Sequence, residues 1–113
     1  MATLKSEIFT LIREKLPLYV KYTDEELDKI VFHTHENIRL SQQGYKILSA
    51  LKKSHSFEIP QDLSSKHSMA LSVLSGPFYR TVKRIYIFSD EDALMIKVSG
   101  GIEQFLDKYV KQH

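Results

Sequence analysis

Three prolines, Pro17, Pro60 and Pro77, and the pair Gly100-Gly101 cut this chain into short segments. Proline has no N–H to donate and pushes the residue before it out of the helical region, while a glycine pair breaks helical order. What can form between these breaks is a set of short elements, each with its own period.

Leu4, Ile8, Leu11, Ile12 and Leu16 lie on one helical stripe with Lys5, Arg13 and Glu14 on the other side, and Pro17 ends that helix. The connector Leu18-Tyr19-Val20-Lys21-Tyr22 is apolar enough to be expected against the core. Thr23-Asp24-Glu25-Glu26 is a helix start: a hydroxyl to cap, a glutamate three residues on, and acids at the positive end of the dipole. Leu27, Ile30, Val31 and Thr34 supply its inward face, and Asn37 is the expected stop. Ile38-Arg39-Leu40 reads as extended. Ser41 then caps a third helix to about Lys53, with Tyr45, Leu48 and Leu51 inward beside Ile47 and Ala50. Gly44 in its first turn costs about 1 kcal/mol against alanine, which points to a close backbone approach.

Ser56-Phe57-Glu58-Ile59 alternates as a strand does. A fourth helix is expected over Ser64 to Ser75 with Met69, Ala70, Val73 and Leu74 inward, stopped by a left-handed Gly76 before Pro77. Val82 to Phe88, rich in β-branched and aromatic residues, reads as the best strand. Ser89-Asp90-Glu91-Asp92 could turn a hairpin into a strand over 93–98. It could also start a helix, and the three acids favour the helix because the dipole explains them. Ile102, Phe105, Leu106, Tyr109 and Val110 give a regular amphipathic helix after the glycine pair. Helices dominate, and the strands do not alternate with them as a doubly wound sheet requires. The expected class is α+β: a helix-rich single domain spanning residues 1–113 with a small sheet of two or three short strands.

With no cysteine, the sequence excludes disulfides, thiolate nucleophiles, iron–sulfur clusters and zinc fingers. The charged N-terminal residues hold no signal-peptide apolar run, and no stretch approaches the ~20 residues of a membrane span. A soluble, cytoplasmic protein without membrane association is expected. Sixteen basic residues against 14 acidic ones permit nucleic-acid binding without arguing for it.

No catalytic pattern emerges. His33-Thr34-His35, placed on a helix, points its two histidines apart, and His55, His67 and His113 stand alone in sequence. Surface or capping roles, with no metal and no cofactor, are the expectation. Ser64, Ser65, Ser68, Ser72 and Ser75 form no nucleophile elbow, and the four glycines form no phosphate loop. The remaining constellation is basic and aromatic: Tyr79, Arg80, Lys83, Arg84 and Tyr86 within residues 77–86. As one strand, it would put Arg80, Arg84 and Tyr86 on one face and Lys83 with Ile85 on the other. That surface suits phosphate contact with base stacking, and equally a strand with core aromatics and solvated cations. Lys46, Lys52 and Lys53 read as the wet face of the third helix.

Arg39-Leu40-Ser41-Gln42-Gln43-Gly44-Tyr45-Lys46-Ile47-Leu48 resembles a segment that opens a helix in some winged-helix proteins. A true winged helix needs a hairpin after its recognition helix, and here the second hairpin strand would be the segment read as helical. The same decapeptide, with Gly76-Pro77-Phe78-Tyr79, Phe88-Ser89-Asp90-Glu91-Asp92-Ala93 and the closing Gly-Gly-Ile-Glu-Gln-Phe-Leu, is similar to small uncharacterised proteins of tailed bacteriophages, over residues 38–107. This resemblance brings no activity. It implies a phage accessory protein in the infected bacterial cytoplasm that binds host or viral macromolecules.

The resulting expectation is a non-enzymatic binding protein with a protein or nucleic-acid partner. The alternative is a structural or assembly protein, a virion component or homo-oligomer, marked by an exposed apolar patch on the 18–22 connector or on the C-terminal helix.

Overall fold

The helix starts read from the sequence are where their caps put them in the computed structural model, which describes residues 4–33 and 38–110. The chain forms two compact units, Met1–Lys53 and Ser54–His113. Its class is α+β, with all the described strands in the second unit.

The first unit packs three helices: α1 (Leu4–Lys15), α2 (Asp24–Val31) and α3 (Gln42–Leu51). Thr23 and Glu26 close the expected capping box on α2, and Ser41 caps α3 by accepting from the Gly44 amide at 2.9 Å. Ile8, Phe9, Ile12, Leu27, Val31, Phe32, Leu40, Ile47 and Leu48 are buried. After α2 the chain returns through a β-bridge between Phe32 and Leu40, and the Ser41 amide donates to the Val31 carbonyl at 2.8 Å. Gly44 is then required: a Cβ there would stand 2.0 Å from the Val31 carbonyl oxygen. The partly buried Lys5 ammonium bonds Asp28 at 2.9 Å and sits 4.7 Å from the Phe32 ring centre.

Several expectations for this unit are corrected. The 18–22 connector does not pack wholly against the core. Pro17 begins a 3-10 turn that leaves Leu18 78% exposed and Val20 exposed, while Tyr19 and Tyr22 meet edge to face, half-buried. His33 lies beyond the end of α2 rather than on a helix, so the spacing argument for His33 and His35 does not apply. Helix α3 stops at Leu51, and Ala50 is exposed. Thr34, His35 and Asn37 lie outside the described residues.

The second unit contains β1 (His55–Glu58), α4 (Ser65–Ala70, then a 3-10 turn over 71–73), β2 (Phe78–Arg80), β3 (Arg84–Ile87), α5 (Asp90–Ser99) and α6 (Ile102–Val110). The sheet is antiparallel in the order β1-β3-β2. Helices α4 and α5 both pack on α6, and α5 also touches β3. Ile59, Leu71, Leu74, Phe78, Ile85, Ile87, Phe88, Ala93, Ile96, Ile102, Phe105 and Leu106 form the core.

The strand expected over 82–88 is present as the shorter β3, and it forms half of a hairpin with β2. The Thr81 amide and hydroxyl both donate to the Arg84 carbonyl, the Arg84 amide donates back to the Thr81 hydroxyl, and Val82 sits 90% exposed at the tip. The fourth helix is shorter than read, and Met69 and Val73 point outward while Leu71 and Leu74 are buried. Gly76 does not take a left-handed φ; among the described residues Gly100 and Gly101 do. Gly76 is there for proximity, since a Cβ would come 2.4 Å from the Ser89 Cβ. The segment from Asp90 is helical, capped by the Ser89 hydroxyl and ended by Gly100 in the left-handed conformation. The winged-helix order is absent: α3 is followed by one strand and a helix, not by a hairpin.

Candidate functional site

The hairpin gathers the expected site residues but distributes them over both faces. Its register pairs Tyr79 with Tyr86 and Arg80 with Ile85, and sets Arg84 across from Glu58. Because faces alternate along a strand, Tyr79, Arg84 and Tyr86 share one side with Ser56 and Glu58. Arg80 lies on the other, with Phe78, Ile85 and Ile87. The single-strand reading that put Arg80 beside Arg84 is therefore corrected, because the turn at 82–83 shifts the alternation between strands.

Each arginine already has a structural contact. Arg80 Nη1 donates to Ser68 Oγ at 2.8 Å, tying β2 to α4, and Arg84 Nε donates to Ser56 Oγ at 2.6 Å across the sheet. Tyr79 and Tyr86 stack on each other with ring centres 6.4 Å apart. Lys83 is exposed at the tip beside Val82. These are the contacts of a cross-strand ladder more than of a phosphate cradle.

Two of the histidines, His55 and His67, act as fasteners. His55 Nε2 meets Asp90 Oδ1 at 2.8 Å, joining β1 to the start of α5. His67 Nδ1 lies 2.6 Å from the Ser64 hydroxyl and its Nε2 lies 2.6 Å from Asp107 Oδ1. If Nε2–H donates to the carboxylate, Nδ1 accepts the serine proton, the proton order of a Ser–His–Asp relay. Here Ser64 Oγ is also the α4 cap, accepting from the His67 amide at 3.2 Å, so the array locks α4 onto α6. Ser64 and His67 are separated by a cap spacing visible in sequence; Asp107, forty residues from His67, is not. Among the described residues no group of three or more His, Asp or Glu is gathered to hold a metal ion. Nor is any described helix long and apolar enough to cross a membrane.

In the sequence Asp92 is explained as a dipole acid, and in the structure it does more. It is buried, and accepts from the Ser75 hydroxyl at 2.9 Å, the Ser75 amide at 3.2 Å and the Gly76 amide at 2.8 Å. Every buried side-chain polar atom among the described residues has a partner. The buried polar side chains of this unit are accounted for.

What is left over is apolar. On α5, Leu94 is 62%, Met95 49% and Val98 77% exposed, while Asp92, Ala93 and Ile96 face inward. Leu94 and Val98 stand one turn apart at the centre of the outward face, with Met95 beside them. A second apolar feature is a cleft of about 490 Å³ lined by Met69, Val73, Tyr109 and Val110 with Lys66 at its edge. The cap at Ser89 predicts the start of α5 but not its outward face, because a cap does not depend on whether the apolar residues that follow fit one stripe. No protein-family model matches the chain, and neither a characterised protein nor a solved structure matches it.

Proposed function

We propose that this chain is a non-enzymatic binding protein whose partner is a protein. The observation that carries the reading is the outward face of α5. Helix α5 carries Leu94, Met95 and Val98 on a face that its own unit leaves uncovered, an exposed apolar patch of the kind that marks an interaction surface. The hairpin favours a protein partner over a nucleic acid, because both arginines bond serines and point to opposite faces. From the resemblance noted for residues 38–107 we further propose an accessory role in an infected bacterial cytoplasm.

A pull-down from the producing cell tests this, with wild type and Val98→Asp as baits and nuclease added. Protein recovered by wild type and lost with Val98→Asp supports the reading. Equal recovery by the two baits, or nucleic acid as the only recovered species, overturns it.

A further inference from the structure

We infer that the outward face of α5 is a self-association surface, covered by α5 of a second copy running antiparallel. The inference rests on the binding role proposed above and names the occupant. Two features of α5 carry it, and a third sets its strength.

The first is the shape of the apolar strip. Leu94, Met95 and Val98 lie side by side on one helix face, and Glu91, one turn before Leu94, continues that face into a charged end. The second is charge. The exposed acids of the first turn, Asp90 and Glu91, lie at one end of the strip and exposed Lys97 near the other. Neither Glu91 nor Lys97 has an ion-pair partner among the described residues. An antiparallel copy turned about a two-fold axis near Leu94 brings each acidic turn level with the other copy's Lys97. It also opposes the two helix dipoles. A parallel copy would set like charge against like.

The third is size. A ten-residue helix is about 15 Å long, and one such face falls short of the roughly 1,200 Å² buried by stable complexes. The expected product is a weak dimer that forms as concentration rises, not an obligate one.

The chain has no cysteine, which makes the geometry directly testable. Leu94→Cys places one thiol beside the proposed axis, and Val82→Cys places one on the equally open hairpin tip. Under mild oxidation the first should cross-link to a dimer much faster than the second. Sedimentation velocity of wild type from low micromolar to near millimolar should show mass rising toward a dimer. Val98→Asp should weaken association by about tenfold or more. Lys97→Glu should weaken it by about threefold, the scale of an exposed ion pair. Circular dichroism melts of the variants at low concentration should match wild type, because these side chains leave the core intact.

A wild type that stays monomeric throughout overturns the inference. So does a dimer that Val98→Asp leaves unchanged, or equal cross-linking at positions 94 and 82. A monomer that still captures a cellular protein through Val98 would remove the second copy and keep the binding role; a monomer that captures none would remove both.

Discussion

Helices α2 and α5 begin almost identically and end up in different circumstances. Each is preceded by a hydroxyl cap, Thr23 or Ser89, and each carries three acids in its first turn. Helix α2 then turns Glu25, Glu26 and Lys29 to solvent, buries Leu27 and Val31 and half-buries Ile30, so none of its apolar residues faces fully outward. Helix α5 buries Ala93 and Ile96 and has Leu94, Met95 and Val98 to spare. The same start signal thus says that a helix begins and nothing about how many of its faces will be covered. That is decided by how many neighbours the fold supplies.

The comparison can be broken most sharply at one leucine of each helix. Leu27→Ala removes a fully buried side chain from α2 and should cost about 3 kcal/mol in urea unfolding. The third acid of each helix gives the next contrast. Asp92→Ala leaves the Ser75 and Gly76 donors without their acceptor and should cost about 2 kcal/mol, whereas Glu26→Ala, exposed in its capping box, should cost about half of that or less. Thr23→Ala and Ser89→Ala should each cost about 1 kcal/mol, and a cap in one helix worth far more than in the other would mean the two starts are not equivalent. Leu94→Ala, the partner of the leucine pair, should change stability by less than about 0.5 kcal/mol when measured at low concentration. A cost near that of Leu27→Ala would show that α5's outer face is already covered within the monomer.

The hairpin offers the smallest expected effect. Mixed-sequence DNA should bind wild type weakly or not at all at low salt, and Arg84→Ala should alter that little, as read by fluorescence anisotropy at two salt concentrations. Tight binding that falls steeply with salt would restore the nucleic-acid reading.

Local chemistry was legible in the sequence. The caps at Thr23, Ser41 and Ser89 and the break at Gly100-Gly101 depend on groups within a few residues of each other, so spacing alone identifies them. The close approach at Gly44 was legible too, as a glycine placed where a helix would otherwise avoid one. The candidate site was legible in part. Tyr79, Arg80, Lys83, Arg84 and Tyr86 were found as a cluster, but one residue's misplacement of the turn moves every side chain to the other face.

Sequence by itself therefore determined the α+β class, the helix starts and the absence of thiol chemistry, because these follow from composition and short-range hydrogen bonding. Tertiary structure alone decided that Asp92 is a buried acceptor for Ser75 and Gly76, that Ser64, His67 and Asp107 form one array, and that Leu18, Met69, Leu94 and Val98 face outward. Each of those depends on partners 16 to 40 residues away, or on the lack of any neighbour, and the free energy of burial belongs to the packed arrangement, not to the residue.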